Sequence, residues 1–440
     1  MKALFTFCKN VFITVCAFTH TTELFTRFTG VGTFLPQLFA LRFANVLCIP
    51  ASGFEIEMRQ CRSFKDDKWT AYWRAKADTH LREADARLNP MGAPVSETLL
   101  RDPSPAVREA LGNALHSAAP VFTDRSPDTI DAMLESFAAD PDRRDAAHAL
   151  NALVLAVGYL TIASWPGWTP ARMKAYWDAR RLFEALAFAM APSMDMVVEK
   201  IRIEVQGEVV DVFAGFPKTP HKVPAVLMTN GLEGSMQELL LPTLKYRKAG
   251  LAVVAMEMPG TFAYKQPMSA DSEGIYRAVI DQIARHPRLQ ADKIGIFGAS
   301  FGAYWSTRMA AVDKRITAVV SNGGPYHRSF SPKATFGMPA IILDTMAKTV
   351  NAKHKLDLGK KLHDLSIRHR YKQITQPLLA INGDRDTLLS TQDTIDLARE
   401  TGGTLLLYPG DDHCAMAHYV VWQKRMSEWL KTQLQTPNSP

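Results

Sequence analysis

The second half of the chain repeats one pattern, which restricts the fold more than any other feature of the sequence. Short, mostly apolar, β-prone runs alternate there with helix-length segments. There are six such runs: Ala225–Met228, Ala252–Met256, Ile294–Phe297, Thr317–Val320, Leu378–Ile381 and Thr404–Tyr408. Runs of this kind are typical of parallel strands that are buried on both faces and joined by helices. Just before them, β-prone residues flank Gln206-Gly207, which is typical of a hairpin. We therefore predict an α/β domain over residues 197–440, with a mostly parallel sheet flanked by helices.

Residues 58–196 have a helical pattern instead. The segment 65–88 contains no Gly or Pro, and 146–163 is an apolar helical run. Thr169-Pro170 is typical of a helix start, and a largely apolar stripe with steps of three and four follows it. We predict a helical N-terminal or cap domain here. Five of the eight Trp residues also lie in it, and we consider two interpretations: they pack helix on helix, or they line an aromatic pocket.

The first 57 residues differ from both regions, because they hold ten of the 22 Phe residues. Met1-Lys2 and the apolar residues after it resemble a signal peptide, but Lys9 and Asn10 interrupt that run and no cleavage site follows. The uncharged stretches are too short to span a bilayer. Three interpretations stay open. The start codon is assigned too early and Met58 opens the protein, the segment is a poorly ordered or surface-associated extension, or it is an export or anchor signal.

Charge and cysteine content exclude several classes of protein. The net charge is +7, but 44 acidic residues nearly match 51 basic ones. The densest basic cluster, residues 368–372, is typical of a solvated helix face, and no nucleic-acid-binding motif accompanies it. Five cysteines with no C-x-x-C pair favour neither a disulfide framework nor a zinc site, so we expect a cytoplasmic protein. No phosphate-binding glycine loop or metal-ligand spacing is present, and we expect no cofactor and no metal.

The pentapeptide Gly298-Ala299-Ser300-Phe301-Gly302 indicates a nucleophile. It follows a strand-like run and precedes a helical stretch, which is the context that a G-x-S-x-G turn needs. The small residues two positions before and after Ser300 let neighbouring chain segments approach, so that its hydroxyl projects above the sheet. The alternative is a glycine-rich turn with a capping serine.

A serine nucleophile needs a base and an acid that orients this base. Asp384 and Asp386 both follow the run 378–381, and His413 follows the run 404–408, so all three lie at carboxyl ends of strands. We assign His413 as the base and Asp386 as the orienting acid, because the acid usually stands three positions after the Gly of this turn. We interpret Asp384 as a turn-capping residue.

An oxyanion hole needs two backbone donors. The N–H of Phe301, directly after the nucleophile, is the first candidate. Leu232 is the second, since Gly231 lets the loop after the run 225–228 turn in closely. The segment 322–376 is longer than an ordinary connection and is long enough to form part of a lid, with helical stretches at 338–346 and 356–371.

These motifs together resemble the FrsA-like α/β hydrolases, the group of esterase FrsA, dihydroxypseudooxynicotine hydrolase and the fungal heptaketide hydrolases. The segments that carry the resemblance are Trp168–Met190, Asn230–Ser235, Glu257–Gly260, Gly298–Gly302, Asn382–Asp386 and Gly410–His413. The resemblance extends over about residues 58–434. It implies an α/β-hydrolase fold with an N-terminal all-helical domain that covers the site and often mediates dimerisation. It also implies catalytic roles for Ser300, Asp386 and His413.

We expect a serine hydrolase that cleaves an ester, a thioester or a ketonic C–C bond of a small acyl or polyketide-like substrate. As partners we expect that small molecule and a second copy of the chain bound through the helical domain, but neither nucleic acid nor a membrane. Two alternatives remain. One is a non-catalytic regulatory or binding protein of the same family, and the other is a membrane-associated lipid hydrolase that uses the Phe-rich N-terminus.

Overall fold

The structure is a computed structural model that describes residues 2–35, 37–47, 49–101, 103–126, 128–331 and 336–435. Cys48, one of the five cysteines, lies outside these residues. Within them, eleven α-helices precede the first strand. They are α1 (Lys2–Thr19), α2 (Thr22–Thr29), α3 (Gln37–Leu47), α4 (Ala51–Gln60), α5 (Asp66–Leu88), α6 (Ser96–Leu99), α7 (Pro105–Leu115), α8 (Ala119–Thr123), α9 (Ile130–Glu135), α10 (Pro141–Ser164) and α11 (Pro170–Met190).

A mixed sheet forms the second half of the molecule. Its described strands are β1 (Met196–Val205), β2 (Glu208–Pro217), β3 (Val223–Thr229), β4 (Ala252–Met256), β5 (Leu289–Ala299), β6 (Ile316–Asn322), β7 (Leu378–Gly383) and β8 (Thr404–Tyr408). They lie in the order β1-β2-β4-β3-β5-β6-β7-β8. The hairpin β1–β2 is antiparallel, β2 pairs antiparallel with β4, and β3 to β8 are parallel to one another. The six predicted strands and the hairpin are confirmed.

Helices cover the sheet and fill its connections. They are α12 (Met236–Thr243), α13 (Glu273–Arg285), α14 (Phe301–Val312), α15 (Ala340–Thr349), α16 (Lys355–Asp364), α17 (Thr391–Thr401) and α18 (Tyr419–Gln435). The long segment between β6 and β7 holds α15 and α16. Its second helical stretch is shorter than predicted, because α16 ends at Asp364 and a separate 3₁₀ helix covers Arg368–Gln373.

The N-terminal helices pack around α10, which contacts α5 and α11, and their buried side chains are continuous with the core of the sheet. By length and composition α10 is the one described helix that could cross a membrane, but 83% of its most apolar window is buried inside the protein. Trp69, Trp73 and Trp165 are at most 1% exposed and contact one another between these helices. These three Trp side chains therefore pack helix on helix, as the first of the two interpretations predicts.

The first 57 residues contribute α1 to α3 and most of α4, so the boundary placed before Met58 falls inside α4. Phe39, Phe43 and Phe54 are each 1% exposed. Helix α3 is the most strongly integrated part of the segment: it contacts α4 and α10 on one side, and α12 and the loop after β8 on the other. It therefore touches both halves of the molecule.

Candidate active site

Ser300 lies in a sharp turn between β5 and α14. Its φ of 54° and ψ of −126° form a backbone conformation that a non-glycine residue rarely adopts. A Cβ on Gly298 would collide with the carbonyl oxygen of Gly302, and a Cβ on Gly302 would collide with that of Thr229. The Ser300 N–H donates to the Asn322 carbonyl at 2.8 Å, which anchors the turn to β6. Both glycines of the motif are thus sterically required by the turn.

Asp386 and His413 form a buried pair. Nδ1 of His413 lies 2.8 Å from Oδ2 of Asp386, and their side chains are 5% and 0% exposed. Burial alone would lower the pKa of His413, but the Asp386 carboxylate overcomes this effect and raises the pKa well above its ordinary value of 6.5. In the uncharged imidazole this hydrogen bond favours the tautomer with the proton on Nδ1 and the lone pair on Nε2. That Nε2 is buried and has no hydrogen-bond partner among the described residues.

Both oxygens of the Asp386 carboxylate have additional partners. Oδ1 accepts the backbone N–H groups of Leu388 and Leu389 at 2.9 and 2.7 Å, and Oδ2 accepts Nδ2 of Asn382 at 3.0 Å. The orientation of the carboxylate is therefore fixed by the chain itself, independently of the imidazole.

The neighbouring carboxylates organise turns. Asp384 accepts the Gly410 N–H at 2.7 Å, and Asp412 accepts the N–H groups of Thr387 and His413, both at 2.7 Å. Asp411 binds the loop after β8: its carboxylate accepts the backbone N–H groups of Asp412, Ala417 and His418 and lies 2.8 Å from Nδ1 of His418. Of the two candidates for the orienting acid, the structure brings Asp386 and not Asp384 to His413.

Asn382 is a site residue to which the sequence analysis gave no role. Its Nδ2 donates to Asp386, while its Oδ1 accepts the N–H of Cys414 at 3.0 Å, directly after His413. Cys414 and Ala415 have φ of 59° and 51°, so the chain after the imidazole follows an unusual left-handed course. We call residues 382–386 the acid loop and residues 410–418 the base loop, after the predicted roles of Asp386 and His413. Asn382 therefore connects these two loops. It is the first residue of the Asn382–Asp386 motif, and that position at the end of β7 was the available signal.

The loop after β3 touches Ser300. A Cβ on Gly231 would lie 2.7 Å from Cβ and 3.1 Å from Oγ of Ser300, so only glycine leaves room for the hydroxyl. Leu232 follows Gly231, and Leu232 and Ser300 line one cavity. Phe301 is the first residue of α14, so its N–H has no partner within the helix. Both predicted oxyanion donors thus belong to segments beside Ser300.

Helix α3 forms a roof over this site, and no motif in the sequence indicated it. Arg42 donates through Nε to Glu238 at 2.8 Å and through Nη1 to Glu233 at 2.6 Å. Glu238 also accepts the Ser235 N–H at 3.0 Å, so Arg42 holds the loop that carries Leu232. Three residues further along the helix, Nδ2 of Asn45 donates to the Met416 carbonyl in the base loop at 2.8 Å. The roof is therefore attached to the base loop and to the loop after β3 (residues 230–235), which we call the oxyanion loop after the predicted role of Leu232.

A chamber of about 110 Å³ lies between the roof and the sheet edge. Ser300 and His413 line its floor, and Leu38, Phe39 and Val46 of α3 line its roof. We call it the inner chamber. Its walls are mostly apolar, which is typical of a site that excludes water from a reacting group.

In the part of the chain that the structure describes there is neither a cluster of metal-ligating side chains nor a disulfide bond. No three His, Cys, Asp or Glu side chains lie there as a group that could hold a metal ion. The described cysteines Cys8, Cys16, Cys61 and Cys414 are all free thiols.

Comparison with known proteins places this geometry in a family. A family model described as "Esterase FrsA-like" matches residues 129–407, more than half of the chain. The chain belongs to the FrsA-like esterase family. The match includes Ser300 and Asp386 and ends before His413. The FrsA-like chain thus has the α/β-hydrolase fold with helices ahead of the sheet.

Individual relatives agree with the family assignment. The chain is 27% identical over 248 residues to 2,6-dihydropseudooxynicotine hydrolase of Paenarthrobacter nicotinovorans, and 24% identical over 249 residues to esterase FrsA of Photobacterium profundum. Each alignment covers 54% of this chain, and the chain spans 66% and 59% of those relatives.

Solved structures show the same fold. A crystal structure of 2,6-dihydroxy-pseudo-oxynicotine hydrolase superposes with a TM-score of 0.58 at 20% identity, over 79% of this chain and 95% of that one. AbyA5 superposes with a TM-score of 0.57, also at 20% identity, over 70% of this chain and 89% of that one.

Proposed function

We propose that this FrsA-like protein is a serine hydrolase in which Ser300 is the nucleophile, His413 the base and Asp386 the orienting acid. The observation that supports this most strongly is the buried 2.8 Å contact between Asp386 and His413, where His413 lines the same chamber as Ser300, a serine with a φ of 54°. Strained backbone of this kind is found where a reactive side chain must be presented. The substrates we propose are esters, thioesters or ketones of small acyl or polyketide-like molecules.

In the first half of the reaction, Nε2 of His413 takes the Ser300 proton while Oγ attacks the substrate carbonyl. Asp386 keeps the proton on Nδ1 and stabilises the imidazolium that forms. The negative charge on the carbonyl oxygen is held by the N–H groups of Phe301 and Leu232. His413 then returns its proton to the leaving group, an alcohol, a thiol or the carbanion from a cleaved C–C bond, and an acyl-enzyme remains.

In the second half, water attacks the acyl-enzyme. His413 removes a proton from the water and delivers it to Oγ of Ser300, which releases the acid product and restores the starting state. The mostly apolar walls of the inner chamber limit the access of other water molecules to the acyl-enzyme, so that it reacts with the water that His413 activates.

A labelling and turnover experiment tests the proposal. A fluorophosphonate should label the wild-type protein at Ser300, located by mass spectrometry, and Ser300→Ala should lose both the label and turnover by three or more orders of magnitude. Ser306→Ala is the matched control, since Ser306 is a buried serine on α14, the helix that follows Ser300, and its hydroxyl donates to the backbone carbonyls of Ala303 and Val320. Wild-type turnover of an identified substrate by Ser300→Ala would rule the mechanism out.

The regulatory alternative makes the opposite prediction for the same experiment. A non-catalytic protein would leave the fluorophosphonate unreacted and would turn over none of a panel of p-nitrophenyl esters, acyl thioesters and β-diketones. Labelling at Ser300 alone would exclude it.

A further inference from the structure

A second, larger chamber lies next to the inner one. Its volume is about 750 Å³, and α15, α16, the loop after β6 and the end of α1 enclose it. Four side chains line both chambers: Phe301, Met338, Met346 and Leu389. The two chambers therefore share a wall, and one member of this wall, Phe301, directly follows the proposed nucleophile.

The sizes of the chambers restrict the shape of the substrate. A cavity of roughly 150 Å³ holds one benzene molecule, whereas drug-sized ligands occupy roughly 300–1,000 Å³. At about 110 Å³ the inner chamber accommodates only a small group beside Ser300. The outer chamber, at about 750 Å³, has room for a whole extended chain. A substrate that fits both is small on one side of the scissile bond and long on the other.

The outer chamber changes in character along its length. Phe330, whose ring lies 6.0 Å from that of Phe301 in the shared wall, is 3% exposed, and Leu358 and Leu362 are 6% and 5% exposed, so the buried part of the lining is apolar. At its outer end the lining residues are exposed, and they include Lys353 and Lys360. The chamber is thus an apolar tunnel with a cationic mouth.

The mouth has more positive than negative charge. Lys353, Lys355 and Lys360 line it, with His20 and His354 beside them. Among the residues that the structure describes, neither Lys353 nor Lys360 forms an ion pair, whereas the neighbouring Lys361 pairs with Asp357 at 3.9 Å. Lys355 instead lies over the Phe18 ring.

One carboxyl group, Asp344, also lines the outer chamber. Desolvation raises its pKa, which favours its uncharged form, although His20 and Lys355 act in the opposite direction. Asp357, which bonds to the backbone N–H of Lys353 at 2.8 Å, is the other carboxylate near the mouth. The lysines are therefore the dominant charges there.

We propose that the outer chamber binds the long, apolar portion of the substrate and that the mouth lysines hold an anionic group at its distal end. The substrate class is an extended acyl compound with a terminal carboxylate, or another anion in its place. This inference rests on the proposed function only for the position of the scissile bond at Ser300, because binding in the chamber does not require turnover.

The test therefore measures binding to the Ser300→Ala protein by calorimetry, with methyl butyrate, methyl decanoate and monomethyl sebacate as probes. The two ten-carbon ligands should bind at least a hundredfold more tightly than methyl butyrate, because their additional methylenes enter the outer chamber. Monomethyl sebacate should bind about fivefold more tightly than methyl decanoate at low salt, and this difference should shrink as salt is added.

Two pairs of variants locate the effect. Ala347→Trp fills the outer chamber from α15 and should weaken both ten-carbon ligands at least tenfold, whereas Lys348→Trp places the same side chain on the exposed face of that helix and should not. The double variant Lys353→Ala/Lys360→Ala should remove the preference for the carboxylate only. Lys431→Ala, an exposed lysine on α18 outside both chambers, should preserve it.

The outcomes separate the two proposals. Equal affinity for butyrate and decanoate, an unaffected Ala347→Trp variant, or no preference for the carboxylate would each overturn the inference about the chamber. If the long ligands bind as expected but the wild-type protein neither hydrolyses them nor reacts with a fluorophosphonate, the proposed function fails and the binding site stands.

Discussion

The floor and the roof of the inner chamber are built in different ways. The floor consists of turns at the carboxyl ends of β5, β7 and β8. Backbone hydrogen bonds position Ser300 and Asp386, and the carboxylates of the nearby turns position His413. The roof is α3, and Arg42 attaches it to Glu238, 196 residues away in the chain. The comparison teaches that the reactive groups depend on local turn geometry, while the enclosure around them depends on a few long-range side-chain contacts.

The largest effect should come from the floor. Asp386→Asn keeps the shape of the side chain but removes the charge that orients His413, so kcat should fall by about 10⁴-fold with the fold intact. Steady-state kinetics on any substrate found for the wild type measures this, with circular dichroism to verify folding.

Asp384→Asn is the matched control on the same turn. Among the described residues Asp384 accepts one backbone hydrogen bond, from the Gly410 N–H, so its loss should change kcat only a few-fold. If Asp384→Asn were the more damaging of the two, the assignment of the orienting acid would be reversed.

The roof should give the next largest effect. Arg42→Ala leaves the carboxylates of Glu233 and Glu238 buried without their guanidinium partner, which should displace the oxyanion loop. We expect kcat to fall about a hundredfold with a smaller change in KM, because a displacement of about 1 Å near the reacting atoms costs that much. Arg42→Lys should restore part of the loss.

Arg59→Ala on α4 is the control for the roof, since Arg59 is 73% exposed and its contact with Glu55 is 3.8 Å long. A chain that begins at Met58 lacks α3 altogether and should behave like Arg42→Ala or worse. Full activity of that shorter chain would mean that the roof contributes nothing to catalysis, and it would favour the interpretation in which the protein starts at Met58.

The smallest predicted effect concerns pH. The base must be uncharged to accept the Ser300 proton, and the Asp386 carboxylate raises the pKa of His413 above 6.5. The kcat/KM profile should therefore rise about tenfold per pH unit on its acid side and level off only above pH 6.5. Asp386→Asn removes the carboxylate, so the residual activity should show this rise at lower pH. A wild-type profile that is flat from pH 5 to 8 would contradict the assigned role of His413.

Much of the sheet and its turns could be predicted, because each part is encoded over a few adjacent residues. Alternating apolar runs indicated β3 to β8, and Gln206-Gly207, with φ of 53° and 75°, has the backbone that a tight hairpin requires. The competing carboxylates Asp384 and Asp386 were harder to distinguish, since both follow the same strand and only the position of the imidazole separates them.

The roof could not be predicted, because helix periodicity does not say what a helix packs against. The Phe-rich composition indicated that the first 57 residues are unusual. The three interpretations were a start codon assigned too early, a poorly ordered or surface-associated extension, and an export or anchor signal. None placed Leu38 or Phe39 above Ser300, which lies more than 250 residues later in the chain. The helices of the long insert were indicated, but not the chamber that they enclose with α1.

The amino-acid sequence by itself determined the strained turn at Ser300, since this turn has no room for a side chain at positions 298 and 302 and both are glycine. It also determined that Asp386 and His413 follow Ser300 in this order. Only the tertiary structure decided which groups meet across the chamber and how much room they leave. The physical reason is range: backbone geometry is set by neighbours in the chain, whereas the contacts of Arg42 and the size of a cavity depend on the packing of segments hundreds of residues apart.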